Sequence, residues 1–142
     1  MSSHSQAGTT ARALAWGVGV GIAQVGVTFA FWWLEPATVL SAMVALIVAV
    51  YIGFAVSDGR PRVIAVESVV VVAFFVAAAV AIEVTPWFLV AVYLLHGAKD
   101  AWQHRYRFVS GTRWWPPFCA GVDVTVALLI AGQIALGVDF QA

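Results

Sequence analysis

Charge is scarce: Asp, Glu, Lys and Arg supply 10% of the 142 residues, where a water-soluble domain carries about 25%. That shortage excludes an ordinary soluble globule. The seven basic and seven acidic side chains cancel, so no basic surface is set out for a nucleic acid. Cysteine is as rare, with Cys119 alone, which excludes an internal disulfide framework and a four-cysteine zinc site. A phosphate-binding glycine loop, a serine elbow and a haem-attachment motif are all missing. What the chain has in excess is apolar side chains, 63% of the total and rich in Val, Ala and Trp. A disordered chain has no such composition. The class that remains is an integral membrane protein.

A bilayer core of about 30 Å is crossed by about 20 apolar residues of helix. Five stretches reach or approach that length, at roughly residues 13–34, 37–56, 63–82, 87–103 and 118–138. The predicted fold is all-α: a polytopic bundle of five transmembrane helices, forming one domain over residues 1–142. Glu35-Pro36 turns the first span into the second, with Pro36 opening the new helix. Residues 57–62 form a turn cluster, Thr85-Pro86 opens the fourth span, and residues 105–117 make the one sizeable polar loop. Residues 1–10 read as a flexible polar tail. The first apolar run is longer than the 7–15 residues of a signal peptide core and has no clear cleavage site after it. It reads as a retained span.

Basic residues then set the orientation. Arg12 precedes span one, Arg60 and Arg62 separate spans two and three, and Arg105, Arg107 and Arg113 separate spans four and five. The other links, and the tail after Val138, carry no Lys or Arg. The positive-inside rule makes the basic side cytoplasmic, so the N-terminus is inside and the C-terminus outside. The expected location is the cell (inner or plasma) membrane. Trp32, Trp33 and Trp87 fall at the outer interface, and Trp16, Trp102, Trp114 and Trp115 at the inner one, as aromatic belts require.

Ionisable groups inside spans are costly against lipid, so they face inward and often mark function. Glu67 lies in span three, His96, Lys99, Asp100 and His104 in span four, and Cys119 and Asp123 in span five. All fall within about 15 Å of the cytoplasmic ends. His96, Asp100 and His104 recur every fourth residue and share a helix face, as Cys119 and Asp123 do on span five. Lys99, the single lysine, sits about 60° round the helix from His96 and can pair with one of the acids. Three carboxylates beside one ammonium in a low dielectric cannot all stay ionised. A proton, a histidine or a cation must balance them.

Glu67, His96, Asp100 and Asp123 are the catalytic candidates: Asp100 and Asp123 as acid and base, His96 as the proton-passing group, Glu67 as a third polar wall. One divalent metal ion is a candidate cofactor, with His96, Asp100, His104, Cys119 and Asp123 as candidate ligands. His96 and His104 lie about 12 Å apart along the axis, too far to share one ion. The expected function is an enzyme acting on a hydrophobic, lipid- or isoprenoid-like substrate by acid–base or metal-assisted chemistry. The alternatives are a small metal- or proton-handling carrier, an accessory subunit of a larger membrane complex, and a cluster that only holds the bundle together. Membrane lipid is the expected partner. Gly17 and Gly21 give span one a small-residue face that suits close packing, within the bundle or against a second copy.

The run from His96-Gly97 through Asp100 and His104, then Trp114 through Cys119 and Asp123, resembles uncharacterised small multi-span membrane proteins of bacteria. Tyr51–Val56, Ser57–Arg60 and Glu67 belong to the same pattern, which covers spans two to five. The resemblance implies a multi-span fold around these polar positions and carries no particular chemistry with it.

Overall fold

The computed structural model describes residues 2–140, and Met1 lies outside them. Five helices run in order: α1 (Ser2–Ala30), α2 (Pro36–Asp58), α3 (Pro61–Val84), α4 (Pro86–Tyr106) and α5 (Trp115–Ala135). Proline stands in the first turn of α2, α3, α4 and α5, where its missing N–H leaves no extra orphan and its fixed φ suits the helix. Gly59 ends α2 in the left-handed conformation (φ 77°), its N–H reaching Ala55 O. α1 begins at Ser2, inside the polar head that the sequence assigns to a flexible tail. Residues 2–12 contain no proline, and a single glycine does not stop a helix from running on. α1 also closes at Ala30, before the apolar run does, and Phe31–Leu34 form the turn into α2.

Four of the helices are long and apolar enough to cross a membrane: α1 from Ala7, α2, α3 and α5. α4 falls outside that group because its second half collects His96, Lys99, Asp100, Gln103, His104 and Arg105. The outside of the bundle is apolar, with Leu46, Val69, Val72 and Leu128 among its most exposed side chains. Gln24, Glu67, His96, Asp100, Gln103 and Asp123 are buried within. Apolar outside and polar inside is the arrangement of a membrane-embedded protein.

α5 is central and packs against both α1 and α4, while α2 packs on α3. Glycine makes the α1–α5 contact close. A Cβ at Gly17 would stand 3.0 Å from Gly121 Cα, and one at Gly21 would stand 2.9 Å from Thr125 Cβ. At Gly19 and Gly26, on other faces of α1, nothing lies within 4 Å. The small-residue face is thus used within the chain, on α5. Gln24 Nε2 donates to Tyr93 Oη at 2.6 Å, and that hydroxyl donates to Leu40 O at 2.8 Å, tying α1, α4 and α2 together.

One end of the bundle gathers the basic segments. Asp58 accepts from Arg60 at 2.6 and 2.8 Å and from the Ser110 backbone N–H at 2.8 Å, and Arg60 also donates to Phe108 O at 2.6 Å. The α2–α3 turn and the α4–α5 loop are therefore clamped to each other. Thr9 and Thr10 of α1 line a cavity together with Arg107 and Arg113 of that loop. At the opposite end the Ala37 N–H meets Phe140 O at 3.3 Å, which puts the C-terminal segment beside the start of α2.

Candidate functional site

α4 supplies His96 and Asp100 one turn apart, and α5 supplies Asp123 opposite them; all three are 0% exposed. Gly97 lets the two helices approach here, since a Cβ on it would stand 3.3 Å from Asp123 Cβ. His96 Nδ1 lies 2.7 Å from Asp123 Oδ2 and 3.4 Å from Asp100 Oδ2. The Phe74 ring meets the imidazole edge-on, with centroids 5.2 Å apart, and closes the α3 side of the site.

Asp100 is held from its other oxygen. Tyr51, fully buried on α2, donates its hydroxyl to Asp100 Oδ1 at 2.5 Å. Lys99 Nζ stands 3.1 Å from the centre of the Tyr51 ring and donates to Glu67 Oε2 at 2.8 Å. Glu67 is therefore the hydrogen-bonded partner of Lys99, which in turn lies over the Tyr51 ring. The order of contacts runs Glu67, Lys99, Tyr51, Asp100, His96, Asp123.

One ligand atom each from His96, Asp100 and Asp123 lie within 4.8 Å of one another, close enough to hold one metal ion. Six buried side-chain polar atoms among the described residues have no hydrogen-bond partner, and three belong to this triad: His96 Nε2, Asp100 Oδ2 and Asp123 Oδ1. These three atoms leave hydrogen-bonding capacity in the cluster that a proton shared between the two carboxyl groups, or a bound ion, could use. With His96 neutral, the two carboxylates leave a charge of two, which a divalent cation or two protons would cancel.

The other sequence candidates separate here. His104 lines the loop cavity at the end of α4 and does not join the triad. Cys119 is buried on α5, outside the group of converging donors. Tyr51 and Gln103 are the additions that a search for charged residues passes over. For Tyr51 the available signal was a phenol among aliphatic residues, which needs a hydrogen-bond partner once buried. Gln103, also fully buried, donates to Val109 O at 3.3 Å and leaves its Oε1 without a partner.

No family model, no curated protein and no solved structure matches the chain.

Proposed function

We propose that this chain is a five-span membrane enzyme, N-terminus inside and C-terminus outside, that performs metal-assisted acid–base chemistry on a hydrophobic substrate dissolved in the membrane. The clamp between the two arginine-bearing links supports the orientation, because both lie at one end, with the start of α1 beside them. As a crossing beside the four more apolar helices, α4 would turn His96, Asp100 and Gln103 inward, where they have no exposed surface. In a background with Cys119 replaced by Ala, cysteines at Gly59 and Gly111 are expected to label from the cytoplasmic side only. One at Val138 should label only from outside. Labelling of Gly59 and Val138 positions from the same side would end the five-span reading.

The observation that carries the chemistry is the convergence of one imidazole and two carboxylates, each with an unpartnered polar atom and none with exposed surface. Asp100 and Asp123 serve as acid and base. His96 passes the proton between them or, with a cation in place, lends a nitrogen to it. A bound divalent ion would act as a Lewis acid on a substrate oxygen. Tyr51 fixes the Asp100 carboxylate by its far oxygen, as groups behind a ligand commonly do. The reading is tested by incubating purified protein with a total lipid extract from the host membrane and following lipid masses over time. A species should convert with wild type and stay unchanged with Asp100→Asn of equal helical content.

A second reading, a metal- or proton-handling carrier, is favoured by the complete burial of the triad, which suits an ion better than a bulky molecule. Ion uptake into proteoliposomes, with no change in any lipid, would select it over the enzyme.

A further inference from the structure

A second polar site lies beyond the C-terminal end of α4, separate from the triad. A cavity of about 610 Å³ opens between the start of α1, the last turn of α4 and the α4–α5 loop. Its walls include Gln103, His104, Arg107, Ser110, Thr112 and Arg113. Two arginines, a histidine and four hydroxyl-bearing residues line it, and no carboxylate does among the described residues. Asp58, which accepts from Ser110 N–H, is engaged by Arg60 as well. The wall therefore carries net positive charge that no protein anion cancels.

Two features show that the cavity is built and not incidental. Gln103 is fully buried and lines the cavity with its Oε1 unpartnered, so the site has a polar floor that its own contacts leave unsatisfied. Arg107 caps α4 at φ 50°, and it is the only non-glycine residue with positive φ among those described. Glycine or asparagine is usual at such a cap, and an arginine there accepts backbone strain. The cap holds Arg107 in the cavity wall, which Arg113 also lines. Arginine is the residue that grips phosphate oxygens in pairs, and hydroxyls add single hydrogen bonds.

We infer that this cavity binds a phosphate-bearing group, the phosphate taken by Arg107 and Arg113 and the polar remainder by Gln103, Thr112 and His104. The volume exceeds what a bare phosphate fills and falls within the usual range of small-ligand pockets. Exposed Trp102, Tyr106 and Trp114 stand nearby in sequence, as interfacial aromatics do at the level of lipid headgroups. The phosphate can thus come from a headgroup or from a soluble phosphate compound. The inference goes beyond the proposed chemistry and does not depend on the triad being catalytic.

The test uses the full chain in nanodiscs and measures binding of two probes. One is inorganic phosphate, read by thermal shift; the other is phosphatidic acid against a phosphatidylcholine background, read by native mass spectrometry. Arg107→Gly should leave the helix cap as stable or more so, because glycine suits the left-handed conformation, yet weaken binding at least tenfold. Arg113→Gln should do the same, whereas Arg62→Gln, outside the cavity, should leave binding unchanged. Retention of phosphatidic acid without a phosphate response assigns a headgroup, and a phosphate response without lipid retention assigns a soluble compound. Two results overturn the inference: neither probe binding wild type, or Arg62→Gln weakening binding as much as Arg107→Gly.

Discussion

Purified without chelator, the wild-type chain is expected to carry one divalent ion, and Asp100→Asn to carry none. The three donors are an imidazole nitrogen and two carboxylate oxygens, a mixed set that suits Zn²⁺, Mn²⁺ or Fe²⁺ better than Ca²⁺ or Cu⁺. An amide in place of Asp100 keeps the size and can still accept from Tyr51, so the helices should pack as before. It can neither neutralise a cation nor exchange a proton, so ion and activity go together. Asp123→Asn should behave in the same way. Glu67→Gln should retain the ion, because Glu67 touches Lys99 and not the triad. Tyr51→Phe removes the bond behind Asp100 and should weaken the ion by about 10- to 100-fold. Elemental analysis with far-UV circular dichroism on each variant reads all of this. If Asp100→Asn and Asp123→Asn lose their helical signal, the triad is a stability element. If wild type binds no added Zn²⁺, Mn²⁺ or Fe²⁺, the metal has no part in the site.

The sequence made the helices and the inward placing of several polar residues readable for simple reasons. Prolines stand at four helix starts, turn residues fall between apolar runs, and an i, i+4 spacing can only put His96 and Asp100 on one face. The same geometry sets His104 apart, as its distance of two turns from His96 already implies. Two turns of α4 carry it beyond the triad to the end of the helix, where it faces a different cavity. Which acid Lys99 would choose was not readable, since that depends on the angle between α3 and α4, and no periodicity encodes it. The role of Gly17 and Gly21 was open for the same reason. A small-residue face says that something comes close, and only the packing shows that it is Gly121 and Thr125 of α5. Tyr51 carries no charge, so a survey of costly residues cannot find it. Its place beneath Asp100 follows from tertiary packing alone.

Those contacts divide the polar interior into two parts with different work. The triad has unpartnered atoms and can accept an ion or a proton. Glu67 and Lys99 form a pair of net zero charge that borders the triad through the face of Tyr51. A neutral pair leaves the charge of the triad to be balanced by protons or by a cation. The pair fixes the tyrosine, and the tyrosine fixes one carboxylate. Its own removal is then a matter of folding before it is a matter of function.

Lys99→Met is accordingly expected to cost the fold more than any single change at the triad. Glu67 is 1% exposed and the Lys99 side chain 13%, so a Glu67 carboxylate left alone would be buried away from water. Taking away one partner of a buried pair leaves the other charge uncompensated, at about 3–5 kcal/mol. The loss of the ammonium from the Tyr51 face adds about 0.5–2 kcal/mol. Restoring neutrality should recover most of the first sum and none of the second. The double variant Lys99→Met with Glu67→Gln is therefore expected to melt well above Lys99→Met alone, yet below wild type. Both should be read as thermal midpoints in the same detergent, with Glu67→Gln as the third corner of the cycle. A clear coupling between the two sites identifies the pair as a unit. If the double variant melts no higher than Lys99→Met, the cost lies in lost lysine packing and not in a stranded charge. The division of the interior into a charge-neutral support and an ion-accepting triad would then fail.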